Sequence, residues 1–104
     1  MRKTLVLILG ILLVLAAIPS VFAADAPAVF KAKCAACHGA DATGQTAVGK
    51  TMKIRDFHSA DVQKQSDADL TKIITDGKGK MPSFKGKLTN EEVASVVKFI
   101  RSLK

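Results

Sequence analysis

Tryptophan and tyrosine are missing from the 104-residue chain, and phenylalanine occurs only five times. Phe22 falls in an apolar N-terminal block, which leaves Phe30, Phe57, Phe84 and Phe99 to fill the core of whatever folds beyond it. At this length there is room for one small domain, and a domain so poor in aromatic mass needs a staple such as a disulfide, a metal or a cofactor. Alternating β-branched runs, Asn-Gly hairpin signals and internal repeats are also lacking, so nothing in the chain announces a sheet or a repeat array. Acidic residues are the scarcer charge, 9 against 16 Lys and Arg, for a formal net charge of +7.

Charge is absent altogether from Leu5 to Ala24, 20 residues that follow Met1, Arg2 and Lys3. A basic start, an apolar run, the breaker pair Pro19-Ser20 and the small residues Val21 and Ala23 around Phe22 have the pattern of a secretory signal peptide over residues 1–23, with cleavage after Ala23. The competing reading is an uncleaved anchor, since about 20 apolar residues suffice to span a bilayer. Either way Arg2 and Lys3 stay inside and residues 24–104 are exported, to the periplasm in the first reading and tethered at the inner membrane in the second. The leader holds two of the basic groups and no acidic one, so the 81-residue domain left behind carries +5.

Within that domain Asp25 caps a first helix with Pro27 in its opening turn, where a missing N–H does no harm, and Val29, Phe30 and Lys33 carry it toward Cys34. From Gly39 to His58 no pattern is sustained and loop formers dominate; an irregular stretch of this length commonly wraps something. Ser59 opens a short turn through Val62. Ser66 and Asp69 make an acidic variant of the capping box, ahead of Leu70, Ile73 and Ile74, with Gly77 expected as a left-handed C-cap. A second loop, Gly77 to Lys87, holds Met81, Pro82 and Phe84. Thr89 and Glu92 form another capping box, and Val93, Val96, Val97 and Ile100 recur at helical spacing. The expected fold is all-α, with three to four short helices and two long loops; helices this short depend on what they pack against.

Cys34-Ala35-Ala36-Cys37-His38 is the stretch that carries chemistry. Two thiols one helical turn apart can both add to vinyl groups on one edge of a porphyrin, and the histidine that follows falls beneath the ring, where a nitrogen reaches the iron. A thioredoxin-like pair would want a βαβ setting, and a zinc site would want a second ligand pair, whereas the chain offers only His58, 20 residues on, and no further cysteine. A lone disulfide would suit an exported protein but gives His38 no purpose.

From about Pro27 to Lys104 the chain resembles the class I monohaem cytochromes c of the small periplasmic bacterial type. The resemblance lies in Phe30 four residues before Cys34, the Cys34–Gly39 stretch, the Gly77-Lys78-Gly79-Lys80-Met81-Pro82-Ser83-Phe84 loop and the closing helix with Phe99. It implies a small cytochrome c fold, residues 24–104, around one haem c attached through Cys34 and Cys37, with the first and last helices crossing at Phe30 and Phe99. It also implies that Met81 binds the iron opposite His38. Met52 is the competing methionine and is expected to pack on the macrocycle. His58, among polar neighbours, is expected to be an exposed side chain. Two departures stand out: Ala26 replaces a glycine common at the helix crossing, and no proline lies between His38 and Pro82, so another carbonyl of the 39–58 loop is expected to orient His38.

A haem with both axial positions filled is a one-electron carrier and not an enzyme. The alternative is a haem-binding enzyme or sensor, peroxidase-like, whose sixth ligand is labile. Lys78, Lys80, Lys85 and Lys87 bracket Met81; a lysine-rich loop is most often only a solvated face, and the functional reading beside it is a positive collar that steers redox partner proteins with acidic docking surfaces. Such a carrier is expected to be a monomer that binds no nucleic acid and no small-molecule substrate, touching the membrane only if the N-terminal segment is retained.

Overall fold

Five of the six helices among the described residues begin at a side chain that accepts a hydrogen bond from the backbone three residues on, which satisfies one of the free N–H groups of the first turn. The structure, a computed structural model, describes residues 25–104, so the signal peptide expected over residues 1–23 lies outside it. Asp25 caps α1 (Ala26–Lys33), Thr46 caps α3 (Ala47–Met52), Ser59 caps α4 (Ala60–Gln63), Ser66 caps α5 (Asp67–Asp76) and Thr89 caps α6 (Asn90–Arg101). At α5 and α6 the box is complete: the Asp69 and Glu92 carboxylates accept from the backbone N–H of Ser66 and Thr89 at 3.2 and 3.0 Å. The exception is the one-turn α2 (Ala35–His38), which follows Cys34 with no side-chain cap.

α6 is the element around which the others assemble. Its buried face is Val93, Val96, Val97 and Ile100, and it packs against α1 and α5. Phe30 is 2% exposed and meets Phe99 with ring centroids 5.0 Å apart, so the first and last helices cross at the aromatic pair the sequence pointed to. Leu70 and Ile74 from α5, Val62 from α4 and Leu88 complete the core. Each such side chain contributes roughly 1.5–3 kcal/mol when fully buried. The far end of α6 is tied down by polar groups: Gln63 Nε2 donates to the Phe57 and Ile100 carbonyls at 2.7 and 2.9 Å, and Arg101 donates to the Gln63 carbonyl and Asp67 carboxylate, each at 2.7 Å, and to the Gln65 carbonyl.

The fold is all-α; among the described residues the extended pairing is limited to two isolated bridges, Lys78 with Met81 and Lys85 with Leu88. Three points differ from the sequence reading. The stretch from Gly39 to His58 contains α3, a six-residue helix too short to show a period and interrupted by Gly49. The first helix ends at Lys33; Cys34, at φ −121° and ψ −31°, separates it from α2, so Cys34 and Cys37 do not share one continuous helix. Gly77 does stop α5 with a positive φ of +79°, but its ψ of 168° is extended rather than left-handed helical, which sends the chain sharply away from the helix.

Candidate cofactor site

The turn that presents the two thiols and the imidazole is closed by its own backbone. The Cys34 carbonyl accepts from the N–H of Cys37 and of His38 at 3.2 and 3.0 Å, and Gly39 N–H returns to Ala35 at 2.8 Å. From the other side α3 clamps it: the Thr46 hydroxyl donates to the Cys37 carbonyl at 2.7 Å while accepting from Gly49 N–H at 2.8 Å, and Gly44 N–H donates to the His38 carbonyl at 2.7 Å. Gly49 permits this approach, because a Cβ there would lie 2.1 Å from the Gly44 carbonyl oxygen and 2.8 Å from that of Cys37.

Met81 is brought in by a tight turn. Lys78 and Met81 exchange backbone hydrogen bonds at 3.0 and 3.1 Å, with Gly79 at φ +57° as the first central residue. The turn is then fastened to the end of α5, whose last carbonyls have no helical partner: Ser83 Oγ donates to Thr75 at 2.6 Å, Phe84 N–H to Ile74 and Lys85 N–H to Thr75, both at 3.1 Å.

Between these two units lies a cleft of about 210 Å³. Cys34, Cys37 and His38 line it from α2 and its leading residue, Met52 and Ile54 from α3 and beyond, and Met81, Pro82 and Phe84 from the turn, with Lys33, Lys78 and Lys80 adding three ammonium groups. Met52 is 39% exposed. His58 lies outside the cleft lining, as expected an exposed side chain, with Nδ1 2.6 Å from the Asp56 carboxylate. The expected carbonyl partner of His38 is not found: among the described residues Nδ1 is enclosed and without a hydrogen-bond partner. The loop carbonyls of Gly39, Ala42, Thr46 and Gly49 are engaged by other backbone N–H groups.

Burial pushes the His38 imidazole below the usual histidine range, which keeps it neutral with a lone pair to give. Burial, and then the neighbouring Cys37, push the Cys34 thiol up. Both cysteines are half-buried free thiols, not joined to each other. A neutral imidazole, a soft thioether and two unpaired thiols around one largely apolar cleft fit a covalently held iron porphyrin.

Residues 22–100 match the family described as Cytochrome C oxidase, cbb3-type, subunit III. Cytochrome c6 of Leptolyngbya boryana is 40% identical over 80 residues, 74% of this chain and 91% of the relative. Cytochrome c6 of Picosynechococcus is 34% identical over 108 residues, 96% and 92% of the two chains. The solved KustC0563 c-type cytochrome superposes with a TM-score of 0.71 at 35% identity, covering 77% of this chain and 98% of that one. The chain belongs to the cytochrome c family. As a class I monohaem cytochrome c it carries haem c with its iron, covalently bound, and its function is electron transfer. The haem supplies an iron that alternates between ferrous and ferric; the cytochrome's own residues hold it, exclude water and set its potential.

Thr46, Gly49 and Ser83 hold the two turns around the cleft without having been singled out from the sequence as site residues. The contacts that fasten the turns reach backbone five or more positions away, and no local pattern reports them.

Proposed function

We propose that Cys34 and Cys37 carry the thioether links, that His38 and Met81 are the axial ligands, and that the cytochrome works in the periplasm as a one-electron shuttle and not as an enzyme. The observation that supports this reading is Met81, which lies 43 positions after His38 in the sequence and lines the same cleft as the attachment motif. With imidazole and thioether both bound, no axial position is left for oxygen or peroxide, and the soft thioether favours the ferrous state, which raises the potential.

Replacing Met81 by Ala should abolish the weak long-wavelength band of ferric iron bound to thioether and lower the potential, whereas Met52→Ala should leave both nearly unchanged. The reverse result exchanges their roles. Rapid carbon monoxide binding by the reduced wild-type protein at neutral pH would instead favour a sensor or peroxidase-like protein. For the export reading, cleavage after Ala23 predicts an intact mass of the 81-residue chain plus haem in the periplasmic fraction; a full-length chain confined to membranes contradicts it. Among the described residues no helix is long and apolar enough to cross a membrane.

A further inference from the structure

Helix α5 ends on carbonyls that have no helical partner, and the segment that carries Met81 supplies donors to them. The Thr75 carbonyl accepts twice, from Ser83 Oγ at 2.6 Å and from Lys85 N–H at 3.1 Å, and the Ile74 carbonyl accepts from Phe84 N–H at 3.1 Å. The Ser83 oxygen in turn accepts from Lys85 N–H at 3.2 Å, so one hydroxyl joins the last turn of α5 to the chain beyond Met81.

Backbone contact completes the seat. A Cβ on Gly77 would lie 2.7 Å from the Met81 carbonyl oxygen, 2.8 Å from the Ser83 nitrogen and 3.0 Å from the Pro82 carbonyl carbon, so Met81 to Ser83 lie directly against the residue that stops α5. Pro82 has no N–H to give, and the Ser83 hydroxyl is the bond to α5 nearest to Met81 along the chain.

We propose that Ser83 is a positioning residue for Met81: the bond from its hydroxyl to the Thr75 carbonyl holds the ligand turn against α5 and limits how often the thioether leaves the iron. This rests on the assignment of Met81 as an axial ligand. The bond exists while the turn is seated and is lost when the turn lifts, so removing the hydroxyl shifts the population toward the open arrangement. The hydroxyl is exposed and water competes for it, which makes its effect that of an ordinary hydrogen bond, roughly a two- to tenfold change in the open population. With the turn seated the cytochrome only passes electrons; with it lifted, an axial position becomes accessible to a small ligand.

The test is a titration of the ferric, haem-loaded protein with imidazole, followed in the optical spectrum. Imidazole must displace the thioether, so its apparent affinity reads the open fraction. Ser83→Ala should tighten imidazole binding by about two- to tenfold. Ser83→Thr, which keeps the hydroxyl, should return it to the wild-type value. Ser66→Ala removes a different serine hydroxyl, the cap at the other end of α5, and should leave the affinity unchanged. In a Met81→Ala background there is no thioether to displace, and Ser83→Ala should add nothing. Wild-type affinity in Ser83→Ala overturns the proposal, as do equal tightening in Ser66→Ala and a Ser83 effect that survives in the Met81→Ala background. The ligand assignment is judged separately: if Met81→Ala alone keeps the long-wavelength thioether band, Met81 is not the ligand and the proposal falls with it. A lost band beside an unmoved Ser83→Ala affinity leaves that assignment standing and overturns only the role of Ser83.

Discussion

Two glycines near the haem cleft are required for different physical reasons, and substitution should tell them apart. Gly49 is a matter of space: a methyl group there would sit 2.1 Å from the Gly44 carbonyl oxygen, with backbone on both sides and no flexible side chain to yield. Gly49→Ala should cost about 2–3 kcal/mol or more, the upper range for overpacking, and should loosen the clamp on Cys37 and His38. Gly79 is a matter of conformation alone, since a Cβ there meets nothing within 4 Å but the backbone sits at φ +57°. Gly79→Ala should cost about 1 kcal/mol, the lower end for a left-handed residue. Denaturant unfolding of the haem-loaded protein measures both, and equal costs contradict the distinction. Cys34, Cys37 and His38 were legible because they are consecutive in one short motif. Gly49, and Thr46 whose hydroxyl reaches the Cys37 carbonyl nine residues away, were legible only as loop formers, since what they do depends on a contact that no local pattern encodes.

Helix ends are where this sequence speaks most plainly. The boxes Ser66-Asp69 and Thr89-Glu92 form as read, because a cap and its partner are three residues apart and need no tertiary contact. Thr89→Ala should therefore destabilise α6 by about 1 kcal/mol in thermal or denaturant unfolding. Asp69 adds a pH dependence. Hydrogen bonds from the Ser66 side chain and then its backbone N–H hold the Asp69 carboxyl below its ordinary value of 3.8, against a smaller opposing effect of desolvation. A folded-state value depressed in this way stabilises the fold above the ordinary carboxylate value, and the advantage is lost as pH falls through the folded-state value. Relative to Asp69→Asn, the wild type should melt higher at neutral pH, and the two melting curves should converge in acid below the folded-state value. A difference that persists there would assign the effect to shape rather than charge. α2 and α3 were not separately legible for the opposite reason: four and six residues are too few to display a period, and both are held by contacts to each other.

At the scale of the whole molecule, the Phe30 and Phe99 crossing organises α1 and α6 while the cleft separates the motif turn from the Met81 turn, so a haem joining the two is expected to add cohesion as well as function. Replacing Cys34 and Cys37 by Ala together should give a largely unfolded, protease-sensitive chain, and a cooperative helical fold without haem in circular dichroism would refute that. The surplus of positive charge belongs to the same scale. Lys78 and Lys80 line the cleft, and Lys85 and Lys87 follow on the segment fastened to α5; all four are exposed. If they steer an acidic redox partner, electron exchange should slow as ionic strength rises, because the Debye length shrinks to about 10 Å at 0.1 M. Lys80→Glu or Lys85→Glu should then slow association and flatten the salt dependence, leaving spectrum and potential almost untouched. Lys64→Glu is the control for net charge: Lys64 lies just after α4, is 73% exposed, and pairs with Asp61 at 3.4 Å, an exposed contact of little energetic weight. Stopped-flow rates that fall equally for Lys64→Glu and Lys80→Glu would mean that total charge governs encounter. A loss confined to the lysines around Met81 would place the docking face at the cleft that those lysines border.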